Sequence, residues 1–221
     1  MPLIAVLDPV LGDDGALYVA EELVTTYKSI IPQADIILPN QYEAEWLVDV
    51  KISKLDDILP CLEALHQRYR IRNVVISSIR LESHPDVILC CGSTSTSDFK
   101  PRPVIIEAPI IEGAFVGTGD LFAALLLARL HPFIRDLAPD DSVRGTDLVL
   151  ARVLEEVIAS MQGVLHKTRK AMDRQQLVDG DISGLSEKEK LVKTMRAAEL
   201  RLVGSQDALL HPVVEFRAEP L

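Results

Sequence analysis

Residues 115–124 read Phe-Val-Gly-Thr-Gly-Asp-Leu-Phe-Ala-Ala, a glycine turn that opens directly into an apolar run. Gly117 and Gly119 let the backbone approach an anion closely. The unpaired amides and positive dipole end of a helix starting there stabilise negative charge. A carboxylate at such a start, Asp120, can take the proton of an attacking hydroxyl, and the two together are what phosphoryl transfer to an alcohol requires. The turn is not a P-loop: Gly-x-x-x-x-Gly-Lys-Ser/Thr is absent and no lysine stands in it. Thr-Gly-Asp before an apolar run is equally a plain helix N-terminus with an acid favourable to the dipole, and spacing alone does not separate the two.

Other polar residues sit where strands are expected to end. Asp8 follows the apolar run Leu3–Leu7, and Asp13 follows five residues later. Their carboxylates suit a hard cation through oxygen, although Asp-Pro and Asp-Asp-Gly are also ordinary turns. Asn40 and Glu43 follow the run Ile36–Leu38 in the spacing of a capping box, which needs no ligand. Ser77 and Ser78 close the run Val74–Ile76, where hydroxyls often do no more than satisfy the backbone. The five histidines are scattered, with no metal-ligand spacing and no companion nucleophile, and receive no catalytic role.

The elements that must position these residues alternate in type. Short doubly apolar runs at 3–7, 36–38 and 74–76 are separated by helical patterns at 20–29 and 55–69, giving β-α-β-α-β. That order predicts an α/β fold with a parallel sheet and helices on both faces. Val87–Cys91 and Val104–Ala108 read as a hairpin across the Ser/Thr-rich stretch 92–97, taken as a flexible polar loop. A buried helix from Asp120 to about Leu130 follows, then a loop over 131–145, and an amphipathic helix over 148–165. Residues 166–193 are charged and broken by Gly180 and Gly184, which predicts a mobile surface segment before a last helix at 194–202.

Composition narrows the classes. The 221 residues, 48% hydrophobic and 25% charged, suit one soluble domain spanning 1–221. A net charge of −10 argues against nucleic acid as a partner, yet permits ATP, because backbone amides and a metal ion set the local potential. Three cysteines, two of them adjacent, suggest no disulfide framework and fit a reducing compartment. The N-terminus lacks a basic region before Asp8, and the apolar run 121–128 is too short to span a bilayer. A soluble, cytoplasmic protein with no membrane partner is expected.

Several segments in order resemble the pyridoxal kinases of the ribokinase superfamily. They are 8–13 (Asp-Pro-Val-Leu-Gly-Asp), 17–19, 34–45 (Ala-Asp-Ile-Ile-Leu-Pro-Asn-Gln-Tyr-Glu-Ala-Glu), 74–78, the turn 117–124, and 199–203 (Glu-Leu-Arg-Leu-Val). The resemblance implies a ribokinase-like α/β fold with a mostly parallel central sheet, N-terminally truncated, because the family has a substantial part before Asp-Pro-Val. It implies transfer of the ATP γ-phosphoryl group to the 5′-hydroxymethyl group of pyridoxal, pyridoxine or pyridoxamine. Asp120 is then the catalytic base and the amides of Gly117, Thr118 and Gly119 the anion hole. Asn40, Ser77 and Ser78 lie near the nucleotide, and Asp8, Asp13 and Glu43 near Mg²⁺ or another divalent cation, with K⁺ as a further cofactor. Leu38 departs from the threonine common in the family and offers a cation no side-chain oxygen. The family also implies a homodimer. A hydroxymethylpyrimidine-type kinase, or a truncated non-catalytic nucleotide-binding or interaction subunit, are the competing readings.

Overall fold

The computed structural model describes residues 4–136, 140–179 and 186–221, the side chains of 134–136 and 176–179 excepted. Strands β1 (Val6–Leu7), β4 (Ile36–Ile37) and β5 (Asn73–Ile79) pair in parallel. Helices α1 (Glu21–Ile30), α2 (Gln41–Val48) and α3 (Ile58–Tyr69) form the connections. The sheet continues antiparallel through β6 (Val87–Thr94), β7 (Pro103–Pro109) and β8 (Glu219–Pro220), in the order β1-β4-β5-β6-β7-β8. Between β1 and α1 a two-stranded hairpin is made by β2 (Gly12–Asp13) and β3 (Ala16–Leu17). Its turn places Asp14 at φ 49° and Gly15 at φ 77°, the left-handed pair that tight hairpins need.

Both faces of the sheet are covered, as runs apolar on both sides require. Alternation along each strand sends Ile37, Val74, Ile76 and Cys91 to the side of α2 and α3. It sends Ile36, Val75, Cys90 and Ile106 to the side of α4 (Thr118–Leu130) and α5 (Val149–Asp179). The expected α/β ribokinase-like architecture is the one found. Leu38 is one of the core residues, packed on the α4 and α5 side, so the residue that offers a cation no oxygen has an apolar role.

Three boundaries and the burial of one helix differ from the sequence reading. Helix α5 runs to Asp179, well past residue 165, and α6 (Glu187–Ala198) starts earlier than residue 194; Gly180 and Gly184 lie outside the described residues. Ser186 and Glu189 form the capping box that begins α6, a signal the charged composition obscured. Helix α4 buries one face only, through Phe122, Leu125, Leu126 and Leu130, leaving Leu127 exposed. The Ser/Thr stretch is not a flexible loop at its start: Ser93 and Thr94 belong to β6, and both are buried with Ser95.

Two of those hydroxyls have the partners that burial requires, while Ser95 Oγ has none among the described residues. Thr94 Oγ1 donates to Asn73 Oδ1 at 2.8 Å, and Ser93 Oγ lies 2.8 Å from His66 Nε2. The other ring nitrogen of His66 is 2.7 Å from the Ile71 carbonyl. A carbonyl only accepts, so Nδ1 carries the proton and Nε2 accepts from Ser93. His66 is 0% exposed, and burial pushes its pKa down to about 4 despite the Ile71 carbonyl. The ring is therefore neutral in the folded state, and its contribution is complete above about pH 6.5 and lost as pH falls through about 4. Wild type is expected to exceed His66→Leu in stability by about 2–4 kcal/mol at pH 7. Urea unfolding should show that gap narrowing by on the order of 3 kcal/mol between pH 6.5 and pH 4. A gap that stays constant would mean that the ring is not held neutral.

Candidate active site at the strand ends

The C-terminal ends of β1, β4 and β5 lie on one side of the sheet, where open α/β folds place ligands. The loop after β1 carries Asp8, and the loop after β4 carries Pro39 and Asn40. Glu43 ties these loops together. Its Oε1 accepts from the N–H of Leu11 at 2.9 Å and of Gly12 at 3.4 Å, and its Oε2 from the N–H of Asn40 at 2.8 Å. Asn40 completes the link: its Oδ1 accepts from Glu43 N–H at 2.9 Å and its Nδ2 donates to the Gly12 carbonyl at 2.8 Å. The capping box is present, and the same two side chains also pin the β2–β3 hairpin.

Ser77 and Ser78 are half-buried within β5, not beyond it. Ile76 pairs with Cys91 and Ile79 with Leu89, so three steps on β5 oppose two on β6. That bulge frees the Ser77–Ser78 backbone, a device common beside functional sites. Ser77 donates to the Pro39 carbonyl from its N–H at 2.9 Å and from its hydroxyl at 3.4 Å. Ser77 therefore holds the Asn40 loop as Glu43 does.

Helix α4 begins at the glycine turn that follows β7. Its N-cap is Gly117 at φ 85°, in the left-handed region that favours glycine, and no side chain caps it. The first intrahelical donor is Leu121, to the Gly117 carbonyl at 3.1 Å. The N–H groups of Thr118, Gly119 and Asp120 therefore emerge from the helix end. Helices α1 and α3 also start without a side-chain cap, so what sets α4 apart is the left-handed glycine at its N-cap. The turn is braced from behind, where Val116 donates to the Ala198 carbonyl at 3.1 Å and forms a parallel bridge with Glu199. The segment 199–203, an unexplained motif in the sequence, thus positions the turn.

Two acids meet at this end. A Cβ added to Gly119 would lie 3.9 Å from Asp8 Oδ2, and Asp120 is the next residue, exposed. Burial, with the charge of Asp120 adding to it, raises the Asp8 carboxyl above its ordinary range. The Asp8 charge in turn acts on Glu43. Asp13 stands apart: it is exposed on β2, and its Oδ1 accepts from the Asp14 N–H at 2.9 Å. Among the described residues no group of three His, Cys, Asp or Glu side chains could hold a metal ion by itself. Facing carboxylates at Asp8 and Asp120 do fit a divalent cation that keeps waters and takes its other ligands from phosphate oxygens. The same residues belong to no helix that could cross a membrane.

A family model described as phosphomethylpyrimidine kinase matches residues 2–164. A putative pyridoxal kinase of Schizosaccharomyces pombe is 37% identical over 217 residues, covering 96% of this chain and 62% of its own length. The pyridoxal kinase of Dictyostelium discoideum is 35% identical over 225 residues, covering 99% of this chain and 65% of its own. Among solved structures, pyridoxal kinase from Leishmania donovani in complex with ADP aligns with a TM-score of 0.76 and 25% identity, over 99% of this chain and 62% of that one. Plasmodium falciparum PdxK with AMP-PNP and PL aligns with a TM-score of 0.72 and 26% identity, over 99% and 60%. The chain thus spans 60 to 65% of the length of these relatives.

The hub carboxylate sets a pH dependence. Glu43 is 5% exposed. Burial outweighs its three backbone donors, and with the nearby Asp8 charge it pushes the pKa up to about 7. A carboxyl raised in the folded state contributes stability that is complete below about pH 4.5 and lost as pH rises through about 7. In Glu43→Gln the amide cannot ionise, and its NH₂ faces a backbone donor. The stability of wild type relative to Glu43→Gln is expected to fall by on the order of 3 kcal/mol between pH 4.5 and pH 8 in urea unfolding. A difference independent of pH would show that Glu43 ionises normally in the folded chain.

Proposed function

The chain belongs to the family of phosphomethylpyrimidine and pyridoxal kinases, and on that premise we propose that it transfers the γ-phosphoryl group of ATP to the 5′-hydroxyl of pyridoxal or its close analogues. The observation that carries this reading is the uncapped start of α4, with Asp120 exposed at its third position and the Asp8 carboxyl beside it. Helix ends that present free amides bind phosphate, and a carboxylate at the same point serves a hydroxyl nucleophile.

In this reading the amides of Thr118, Gly119 and Asp120, with that of Gly117, take the oxygens of the transferring phosphoryl group. Gly119 leaves no side chain between the helix end and Asp8, where a Cβ would already touch the carboxylate. The substrate hydroxyl oxygen forms its bond to the γ-phosphorus as the bond to the β,γ-bridging oxygen breaks and ADP leaves. The hydroxyl proton passes to the Asp120 carboxylate. Asn40, Ser77 and Ser78 line the nucleotide side, while Glu43 keeps the Asp8 loop in place through Leu11 and Gly12. A divalent cation, Mg²⁺ in the first instance, would sit at Asp8 and neutralise phosphate charge there. K⁺ is a further cation of this reading, without the side chain at Leu38 as a ligand.

Asp120→Asn is expected to lower the rate of pyridoxal 5′-phosphate formation with MgATP by roughly 10²–10⁴-fold while leaving ADP affinity within a few-fold in calorimetry. An unchanged rate would remove Asp120 from the chemistry. Nucleotide binding with no turnover by wild type would identify a non-catalytic nucleotide-binding subunit instead. That second reading is favoured by the exposed apolar side chains of Val10, Tyr18 and Leu23, in the segment from the β1 loop into α1, which a partner chain could cover. Hydroxymethylpyrimidine, supplied in competition, distinguishes the related substrate class.

A further inference from the structure

A second concave surface lies away from the strand ends. It is a cavity of about 410 Å³ between the latter part of α5 and the segment after α6, lined by Lys167, Lys170, Arg174, Arg201 and Gly204 among others. Asp8, Glu43 and the residues of the Gly117 turn do not line it. We infer that this cavity binds a free oligophosphate anion, independently of the reaction proposed above.

Positions 167, 170 and 174 are three and four apart and share one helical face. Like charges at that spacing oppose helix formation, so a chain with 33 acids and 23 bases has ample means to pair them. It does so at Lys51, Arg129 and Arg217, for example, but for Lys170, Arg174 and Arg201 the described residues include no carboxylate partner. Lys167 is engaged by Asp207, and Asp173, the acid within this stretch of α5, is taken by Arg169 at 3.0 Å. The three remaining charges face one cavity.

A basic helix face alone is usually just solvated. Here the opposite wall is built. The Arg201 N–H donates to Thr168 Oγ1 at 3.0 Å, and the Arg201 carbonyl accepts from Ser205 Oγ at 2.7 Å. Thr168 and Ser205 are both 0% exposed, so two buried hydroxyls fix the backbone that carries the guanidinium opposite Lys170 and Arg174. Gly204 keeps the rim open, because a Cβ there meets nothing within 4 Å. Three cations without a carboxylate partner, beside a Lys167 already engaged by Asp207, fit a ligand with several adjacent negative oxygens, and the planar guanidinium fork matches phosphate geometry.

The probe is sodium tripolyphosphate, titrated calorimetrically into the full chain, into Gly204→Glu, and into Lys170→Gln/Arg174→Gln. Gly204→Glu adds a carboxylate where there is room for it, and the paired glutamines remove charge from exposed positions. Both variants are expected to bind tripolyphosphate at least about tenfold more weakly than wild type while binding ADP as wild type does. Orthophosphate is expected to bind wild type at least about tenfold more weakly than tripolyphosphate. Tripolyphosphate binding that is absent in wild type, or equal in the three proteins, overturns the inference. Equal affinity for orthophosphate and tripolyphosphate overturns its oligophosphate part. ADP binding reports separately on the Gly117 turn, so its loss in wild type would count against the proposed kinase site alone.

Discussion

One carboxylate constrains the whole site. Glu43 is almost fully buried, yet it holds the N–H groups of Leu11, Gly12 and Asn40, which belong to the loops following two different strands. Three donors onto one buried group leave little freedom for either loop. They place the segment that carries Asp8 relative to α2, and β4 and β5 place α2 relative to the sheet. Desolvation works against the ionised form, and the donors work for it. The balance leaves the group near neutrality, where a cation or a phosphate close to Asp8 would shift it most.

The second constraint is a deliberate vacancy in capping. Helices α2 and α6 have capping boxes and α1 and α3 have no side-chain cap, whereas α4 combines the missing cap with a left-handed glycine at its start. Leaving amides unpaired costs stability unless water or a ligand takes them. The turn is held despite this by the Val116 link to Ala198 and Glu199, far along the chain. The fold thus stabilises from behind what it leaves open in front, the arrangement expected where structure serves ligand binding.

Much of this was legible in the sequence for local reasons. The Asn40-x-x-Glu43 spacing and the Gly117–Asp120 turn are set by short-range geometry, and the doubly apolar runs reveal strands covered on both faces. What escaped depends on partners distant in sequence. Ser93 and Thr94 read as loop because their hydroxyls are polar, but His66 and Asn73 satisfy them inside the core. The bulge at Ser77 and Ser78 exists only against β6, and the two residues of β8 form a strand only against β7. Asp13 entered as a site residue through the family resemblance of the segment 8–13, and the tight β2–β3 hairpin turns its carboxylate to its own backbone. Glu199 to Val203 carried no physical signal at all until the structure set Glu199 beside Val116.

The central claim is that the open start of α4 receives the phosphate of the nucleotide. Amide resonances of the ¹⁵N-labelled chain, followed through a titration with MgATP, test it directly. The account predicts the largest saturable shifts at Gly117, Thr118, Gly119 and Asp120, with Asp8 and its neighbours moving in step. Shifts confined to other parts of the chain, with the amides of 117–120 unmoved at saturation, would contradict it.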